Sequence, residues 1–401
     1  HILLFFNNDG RSVTTDLWTS MRTYDETHTW LRFRSELRQA PPSFWLLVGE
    51  VVALYRQLRN APVPRNEARA LERSVVIEGL AARLALDGHA LTTDHVRSHL
   101  EGHRIDPNEE PLVHEVDDLF LLGQTLQAED PTTLAALSPE LLLTLHRAIA
   151  EHADPIHMAG RWRTSDPGQR DQGVPCTLIA TFMDDLCDWL NGSELLAPAG
   201  DEELHHALLK GLLLELHVAW IVPFESANAR LAGVAMQRLL LAAGGDDLLA
   251  HLLATHFHRT RPEYLRQVKH GAQGQGDPIP FMAYGLRGLR NALDQLLHRM
   301  RVAQLSGLWR DHVRSALDGV PGAQAERQAL LLIRLGELSE PVSPSAIPSS
   351  SPELAKAYAE VSAKTLQRDL EALAATGILW RNTSGVQVRK APILAFKGRS
   401  H

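Results

Sequence analysis

The sequence predicts a mostly α protein with more than one globular domain, and three observations carry that expectation. Apolar residues recur at three- and four-residue steps through seven long stretches, β signals are confined to short pieces, and a Ser- and Pro-rich segment at 340–352 interrupts the periodicity. A chain of 401 residues is long enough for two or three domains, each burying its own core.

In chain order, the periodic stretches are Phe44 to Leu58, Leu71 to Leu86, Val113 to Leu126, Leu141 to Ile149, Leu204 to Ile221, Leu231 to Ala243 and Phe281 to Met300. Each carries an apolar stripe that must face a core, which is what makes it a helix. Strand signals fall after Gly160 and from Ile378 to Val388, where Asn382-Thr383-Ser384-Gly385 has the residues of a hairpin turn. Segment 340–352 reads as an extended linker or a long surface loop. The expected organisation is an N-terminal helical extension at 1–65 with no motif we can interpret, a body at 66–310 and a C-terminal module at 320–401.

Composition excludes several classes. The two cysteines, Cys176 and Cys187, cannot build a disulfide framework and have no partners at zinc-ligand spacing, so a reducing cytoplasm fits. The apolar start, Ile2 to Phe6, is too short for a signal core, and longer apolar runs are broken by Glu50, Lys210 and Glu215, so no membrane partner is expected. The chain starts at His1 rather than Met, and its first residues carry no weight here. His205, His206, His217, His256 and His258 cluster in sequence, yet His256 and His258 are two apart and none sits in a His-Glu-x-x-His pattern. They read as surface or core histidines, and no metal site and no cofactor are expected. Charge is uneven: from residue 361 onward seven basic residues face two acidic ones, while the rest holds 33 basic and 46 acidic. An acidic body with a basic end suits a local phosphate-contacting module.

Residues 221–230, Ile-Val-Pro-Phe-Glu-Ser-Ala-Asn-Ala-Arg, resemble the active-site motif of the Fic (filamentation induced by cAMP) family, His-Pro-Phe-x-Asp/Glu-Gly-Asn-Gly-Arg. Pro223, Phe224, Asn228 and Arg230 match; Val222, Ser226, Ala227 and Ala229 do not. The stretch from Leu141 through Ala-Gly-Arg-Trp-Arg at 159–163 resembles the helix and element before the family's flap, Met183 to Leu190 the helix after it, and Phe257 to Val268 the helical segment after the motif. His217 stands where many members place a histidine. The resemblance covers roughly residues 70–300 and implies a helical nucleotidyl-transfer fold. It also implies that the chemistry is gone. The family's motif histidine is a general base, and Val222 has no proton-accepting atom. Its acidic residue holds Mg²⁺, which neutral Ser226 cannot do, and Glu225 lies one position early. Ala227 and Ala229 would strain a glycine phosphate cradle, and Gly233 replaces a second, phosphate-binding arginine. Residues 74–79, Ser-Val-Val-Ile-Glu-Gly, resemble the family's inhibitory helix through Ser74 and Glu78. With the second arginine missing, Glu78 either pairs with Arg230 or belongs to a helix ending at Gly79. Arg230 itself either binds a ligand at a helix N-terminus or makes a structural ion pair.

Residues 323–390 read as a winged helix-turn-helix: a helix to about Leu338, a second from about Pro352, a turn at Val361-Ser362, a third from Ala363 to Thr376, then a hairpin. Val-Ser-Ala-Lys-Thr-Leu-Gln-Arg-Asp-Leu at 361–370 resembles the recognition helix of bacterial regulators of the DeoR type. Ser362 suits an N-cap, which leaves Lys364, Thr365, Gln367 and Arg368 in the half that enters a major groove. Leu366, Leu370, Leu373 and Ile378 would be buried, Arg381, Arg389 and Lys390 would contact phosphates, and Asp369 with Glu371 would dilute the basic face. The expectation is therefore a mostly α, DNA-binding transcriptional regulator and homodimer, with double-stranded DNA and a nucleotide or protein effector as partners. Its Fic-like body would serve dimerisation, partner binding or ligand sensing. The competing expectation is a divergent Fic nucleotidyltransferase that recruits Glu225 or another histidine.

Overall fold

The computed structural model describes residues 28–33, 37–103, 110–134, 136–151, 158–166, 173–192, 203–273, 276–338, 340–359 and 361–390. Residues 1–27 of the expected N-terminal extension and the basic residues Lys397 and Arg399 lie outside them. The chain divides into two compact units, one formed by His1–Arg59 with Leu71–Asp294, the other by Asn60–Ala70 with Gln295–His401.

The first unit is helical throughout its described part. Its elements are α1 (Pro42–Arg59), α2 (Arg65–Leu86, from Leu71), α3 (Thr93–Leu100), α4 (Glu110–Ala128), α5 (Pro131–Leu134), α6 (Pro139–Ala150) and α7 (Ile179–Asn191). They continue with α8 (Glu203–Ile221), α9 (Asn228–Ala242), α10 (Leu248–Arg259), α11 (Arg261–Gln273) and α12 (Ile279–Ala316, to Asp294). The pair α8–α9 is the hub: α4, α5, α6 and α10 pack on α9, and α1, α7 and α11 pack on α8. The sequence dictates this, because α8 is apolar almost all round and such a helix has no face to give to water. Local signals set the ends. Ser138 caps α6 through Leu141 N at 3.1 Å with Pro139 at the first helical position, and Thr92 caps α3. Gly88, at φ +99°, ends α2 in a left-handed turn.

The segment Phe257 to Val268 is helical, as the end of α10 and the start of α11 on either side of Thr260. Two expectations change here. The strand after Gly160 is absent among the described residues. Gly79 ends nothing: α2 runs on to Leu86, and a Cβ at Gly79 would collide with the His251 ring, so this glycine permits a close helix crossing instead.

The second unit packs the end of α12 against α13 (Gly322–Glu337), α14 (Pro352–Ala359), α15 (Ala363–Ala375) and a hairpin of β1 (Leu379–Asn382) and β2 (Gly385–Val388). The strands pair antiparallel with Leu379 opposite Val388 and Asn382 opposite Gly385, and Val342 adds one bridge to Val386. Gly385, at φ +140°, is required there, because a Cβ would lie 2.6 Å from the Val342 carbonyl oxygen. Segment 340–352 proves to be a loop of this unit: Ile347 sits in the core with Trp309, Leu331, Leu354 and Leu370. Two apolar anchors, Ile347 in the core and Val342 bridged to Val386, fix this Ser/Pro-rich run.

Candidate functional site

The turn from α8 to α9 holds the motif in a strained backbone. Val222 and Ala227 both have positive φ, +49° and +61°. Ala227 thus keeps the conformation for which the family motif has glycine, at a cost of about 1–2 kcal/mol, and a β-branched valine costs more. Neighbours hold the turn in place. Arg163, 4 % exposed, donates from its backbone N to Pro223 O (3.0 Å), from Nε to Val222 O (2.6 Å), from Nη1 to Ser165 O (2.7 Å) and from Nη2 to Val174 O. The Asn228 side chain closes the loop on itself, accepting from Phe224 N at 3.1 Å and donating to Phe224 O at 2.9 Å. His146 stacks on Phe224 at 3.6 Å and 7°. Its Nδ1 accepts from Gly160 N (2.9 Å), so its proton is on Nε2, which donates to Ser226 O (3.1 Å). Pro223 and Phe224 are buried, while Glu225 and Ser226 are exposed and Glu225 accepts from Ser165 Oγ at 2.8 Å.

No side chain of the turn caps α9, so the helix would present bare N–H groups. Asp87, from the end of α2, supplies the missing acceptor: it takes Ala229 N on Oδ1 at 2.9 Å, and Arg230 N and Nε on Oδ2 at 3.1 and 2.9 Å. An internal carboxylate therefore occupies the place where a helix N-terminus binds an anion. Arg230, 1 % exposed, is further neutralised by Glu115, and His89 Nε2 lies 3.2 Å from the same Glu115 oxygen. Burial pushes the Glu115 carboxyl up, against the opposing pull of Arg230 and His89.

Arg83 fills the space over Gly233, where a Cβ would lie 2.5 Å from its Nε. It pairs with buried Glu215 at 2.7 Å and donates to Ala229 O at 3.2 Å, and Tyr264 donates to the other Glu215 oxygen at 3.2 Å. The phenol of Tyr264 is held well above its ordinary pKa by burial and by Glu215. Glu78 does not reach Arg230. It accepts from Ser74 at 3.2 Å and pairs with Arg259 at 3.0 Å, because α2 runs past the motif in a register that brings Arg83 and Asp87 to it. His217 is sealed among Trp189, Trp220 and Phe33; its Nδ1 donates to Leu213 O at 2.8 Å, and desolvation lowers its pKa to about 4. It is a neutral core residue. Among the described residues, no three His, Cys, Asp or Glu side chains come together to hold a metal ion.

In the second unit, α15 separates its faces. Leu366, Leu370, Leu373 and Ile378 are buried; Lys364, Gln367 and Arg368 are exposed and Thr365 half-buried. Ser362 precedes the helix but caps no backbone N–H, and its hydroxyl meets Thr365 Oγ1 at 3.1 Å instead. Asp369 does not dilute the basic face. It is 2 % exposed and accepts from Arg327 Nε (2.7 Å), Gln328 Nε2 (3.0 Å) and Tyr358 Oη (3.1 Å), tying α13 and α14 to α15. Arg381 and Arg389 are exposed on the hairpin. Lys390 is half-buried and donates to Gly336 O, which links the end of the hairpin to α13.

No protein-family model matches the chain. A curated relative, "Protein adenylyltransferase Fic" of Nematostella vectensis, is 24% identical over 217 residues, 53% of this chain and 47% of that protein. The chain thus spans about half the length of that relative. A solved Fic family protein from Desulfovibrio desulfuricans G20 superposes with a TM-score of 0.51 and 20% identity, over 87% of this chain and 96% of that one. The fold is that of the Fic proteins. Fic-1 from C. elegans gives the same TM-score of 0.51 at 18% identity, over 65% of this chain and 74% of that one. The chain is thus similar to Fic proteins in sequence over about half its length and in fold over most of it. On this Fic fold the side chains at the motif do not suit a Mg²⁺ ion between phosphates: Ser226 is neutral, Glu225 is engaged by Ser165, and Asp87 is committed to α9 and Arg230. Arg83, Asp87, Glu115 and Glu215 were not singled out from sequence. A signal existed for two of them: Arg83 and Glu215 each stand alone in an apolar helical run, the pattern of a buried ion pair.

Proposed function

We propose that this protein is a DNA-binding transcriptional regulator whose Fic-type domain has lost AMP-transfer chemistry and serves as a dimerising or ligand-sensing body. One observation carries the DNA reading: α15 turns one of its two acids, Asp369, into the core and leaves Lys364, Gln367 and Arg368 outside, with Glu371 bonded to Gln367. A polar, cationic helix face backed by a two-stranded hairpin bearing Arg381 and Arg389 is what a winged helix-turn-helix offers a duplex. The helix would read base edges from its first two turns, and the hairpin arginines would fix register on phosphates. Two copies would meet half-sites one duplex turn apart. The loss of chemistry is supported by Val222, which cannot take a proton, and by Asp87, which would repel a phosphate from the α9 amides.

Selection of duplexes from a random-sequence library by the purified chain tests the proposal. Enrichment of a repeated half-site is expected; recovery of unenriched sequence at physiological salt would refute sequence-specific binding. The curated relative's name favours a second reading, an active adenylyltransferase. That reading requires label to pass from ATP to protein in the presence of Mg²⁺, and Asn228→Ala to stop it.

A further inference from the structure

We propose that the first unit binds an α-amino acid with an apolar side chain in a cavity beside α2, which meets the ion-pair network of the degenerate motif at His89. The cavity, about 360 Å³, lies between α2, the start of α3 and α10. That volume is at the low end for small-molecule sites, which combine an apolar wall with a few placed polar groups. Here Ala81, Ala82, Ala85 and Leu91 form the apolar wall, and among the described residues the one ion pair with both partners on the lining is Glu78–Arg259. Opposite charges on one lining, a few ångströms apart, match the ammonium and carboxylate of a zwitterion, and the alanines leave room for an aliphatic side chain.

The existing pair does not block this. Arg259 touches Glu78 through Nη2 alone at 3.0 Å, and its Nε and Nη1 make no hydrogen bond among the described residues. The side chains are 63% and 25% exposed, and such a surface pair contributes little, so exchanging it for two ligand contacts costs little. A carboxylate can then take the planar fork of Arg259 in bidentate fashion, which a single glutamate oxygen leaves unused. Ser74 Oγ, donating to Glu78 Oε1 at 3.2 Å, steadies the carboxylate that would receive the ammonium. A function for Ser74 and Glu78 follows that needs no second motif arginine.

This proposal goes beyond the DNA reading and is tested without DNA. Calorimetric titration of the full chain with leucine, valine and methionine is compared with isoamylamine, which lacks the carboxylate, and 4-methylpentanoate, which lacks the ammonium. At least one amino acid is expected to bind with a submillimolar Kd, both truncated analogues at least tenfold more weakly. Glu78→Gln and Arg259→Gln, both at an exposed pair and checked for unchanged melting, should each weaken binding at least tenfold. No heat from any amino acid at 10 mM, or binding that survives both substitutions, would overturn the assignment. Equal binding of an analogue would overturn its zwitterion chemistry. Failure of duplex binding leaves these outcomes untouched.

Discussion

Replacing Asp87 by alanine removes the acceptor on which the α9 N-terminus depends. Three hydrogen bonds are lost at once, from Ala229 N, Arg230 N and Arg230 Nε, all between 2.9 and 3.1 Å. The carboxylate is 8% exposed and Arg230 1%, so water relieves little of the loss. Removing one partner of a buried ion pair costs about 3–5 kcal/mol, and Arg230 keeps Glu115, which argues for the lower half of that range. At about 2–4 °C per kcal/mol for a unit of this size, melting should fall by roughly 6–16 °C. The vacated amides should then accept an external anion. Phosphate at a hundred times its dissociation constant would return about 2.7 kcal/mol, measured by scanning calorimetry against chloride at equal ionic strength. Wild type in the same buffers calibrates the general stabilising effect of phosphate. A variant that melts within 2 °C of wild type, or phosphate stabilising both proteins equally, would refute the assignment of Asp87 as an internal anion.

Further outcomes follow from the same geometry. His217 is neutral in the fold with a pKa near 4, against an ordinary 6.5, so its contribution is present above pH 6.5 and is lost as pH falls toward 4. Stability should drop by about 2–3 kcal/mol between pH 7 and 4.5 from this residue, and in His217→Leu the difference in melting between those two pH values should shrink accordingly. Asp369→Ala leaves Arg327, Gln328 and Tyr358 without their shared acceptor; denaturant unfolding of the second unit should lose about 3–5 kcal/mol, whereas exposed Glu371→Ala should change it by less than about 0.5 kcal/mol. Gly385→Ala should lower the melting temperature and weaken hydrogen-exchange protection at Val386 N, which bonds Val342 O at 2.8 Å.

Much of the fold was legible because its helices bury one continuous stripe. Phe44 to Leu58 and Leu204 to Ile221 emerge as α1 and α8 with ends displaced by two residues or fewer. The eight residues of α3 were not, since two turns hold too few apolar positions to show a period; only Val96 is buried. At the motif, the losses were readable from Val222, Ser226 and Gly233, but what fills the gap was not. Asp87 lies 142 residues from Ala229 and Arg83 lies 132 from Glu215, and no local pattern reports a contact of that separation. For the same reason Glu78 looked like a partner for Arg230 until the register of α2 placed Arg83 and Asp87 there instead. In the second unit, periodicity found the buried leucines of α15 but misread Asp369, whose carboxylate is drawn inward by Arg327, Gln328 and Tyr358.

The most direct test of the regulator reading is the salt dependence of duplex binding for wild type and for the double variant Lys364→Ala, Arg368→Ala, using the enriched duplex. If Arg381 and Arg389 from two copies neutralise four phosphates, log K should fall against log salt with a slope of about −3.6 or steeper, and the double variant should lose at least a hundredfold at physiological salt. Specific binding that is indifferent to salt and to both substitutions would contradict the account.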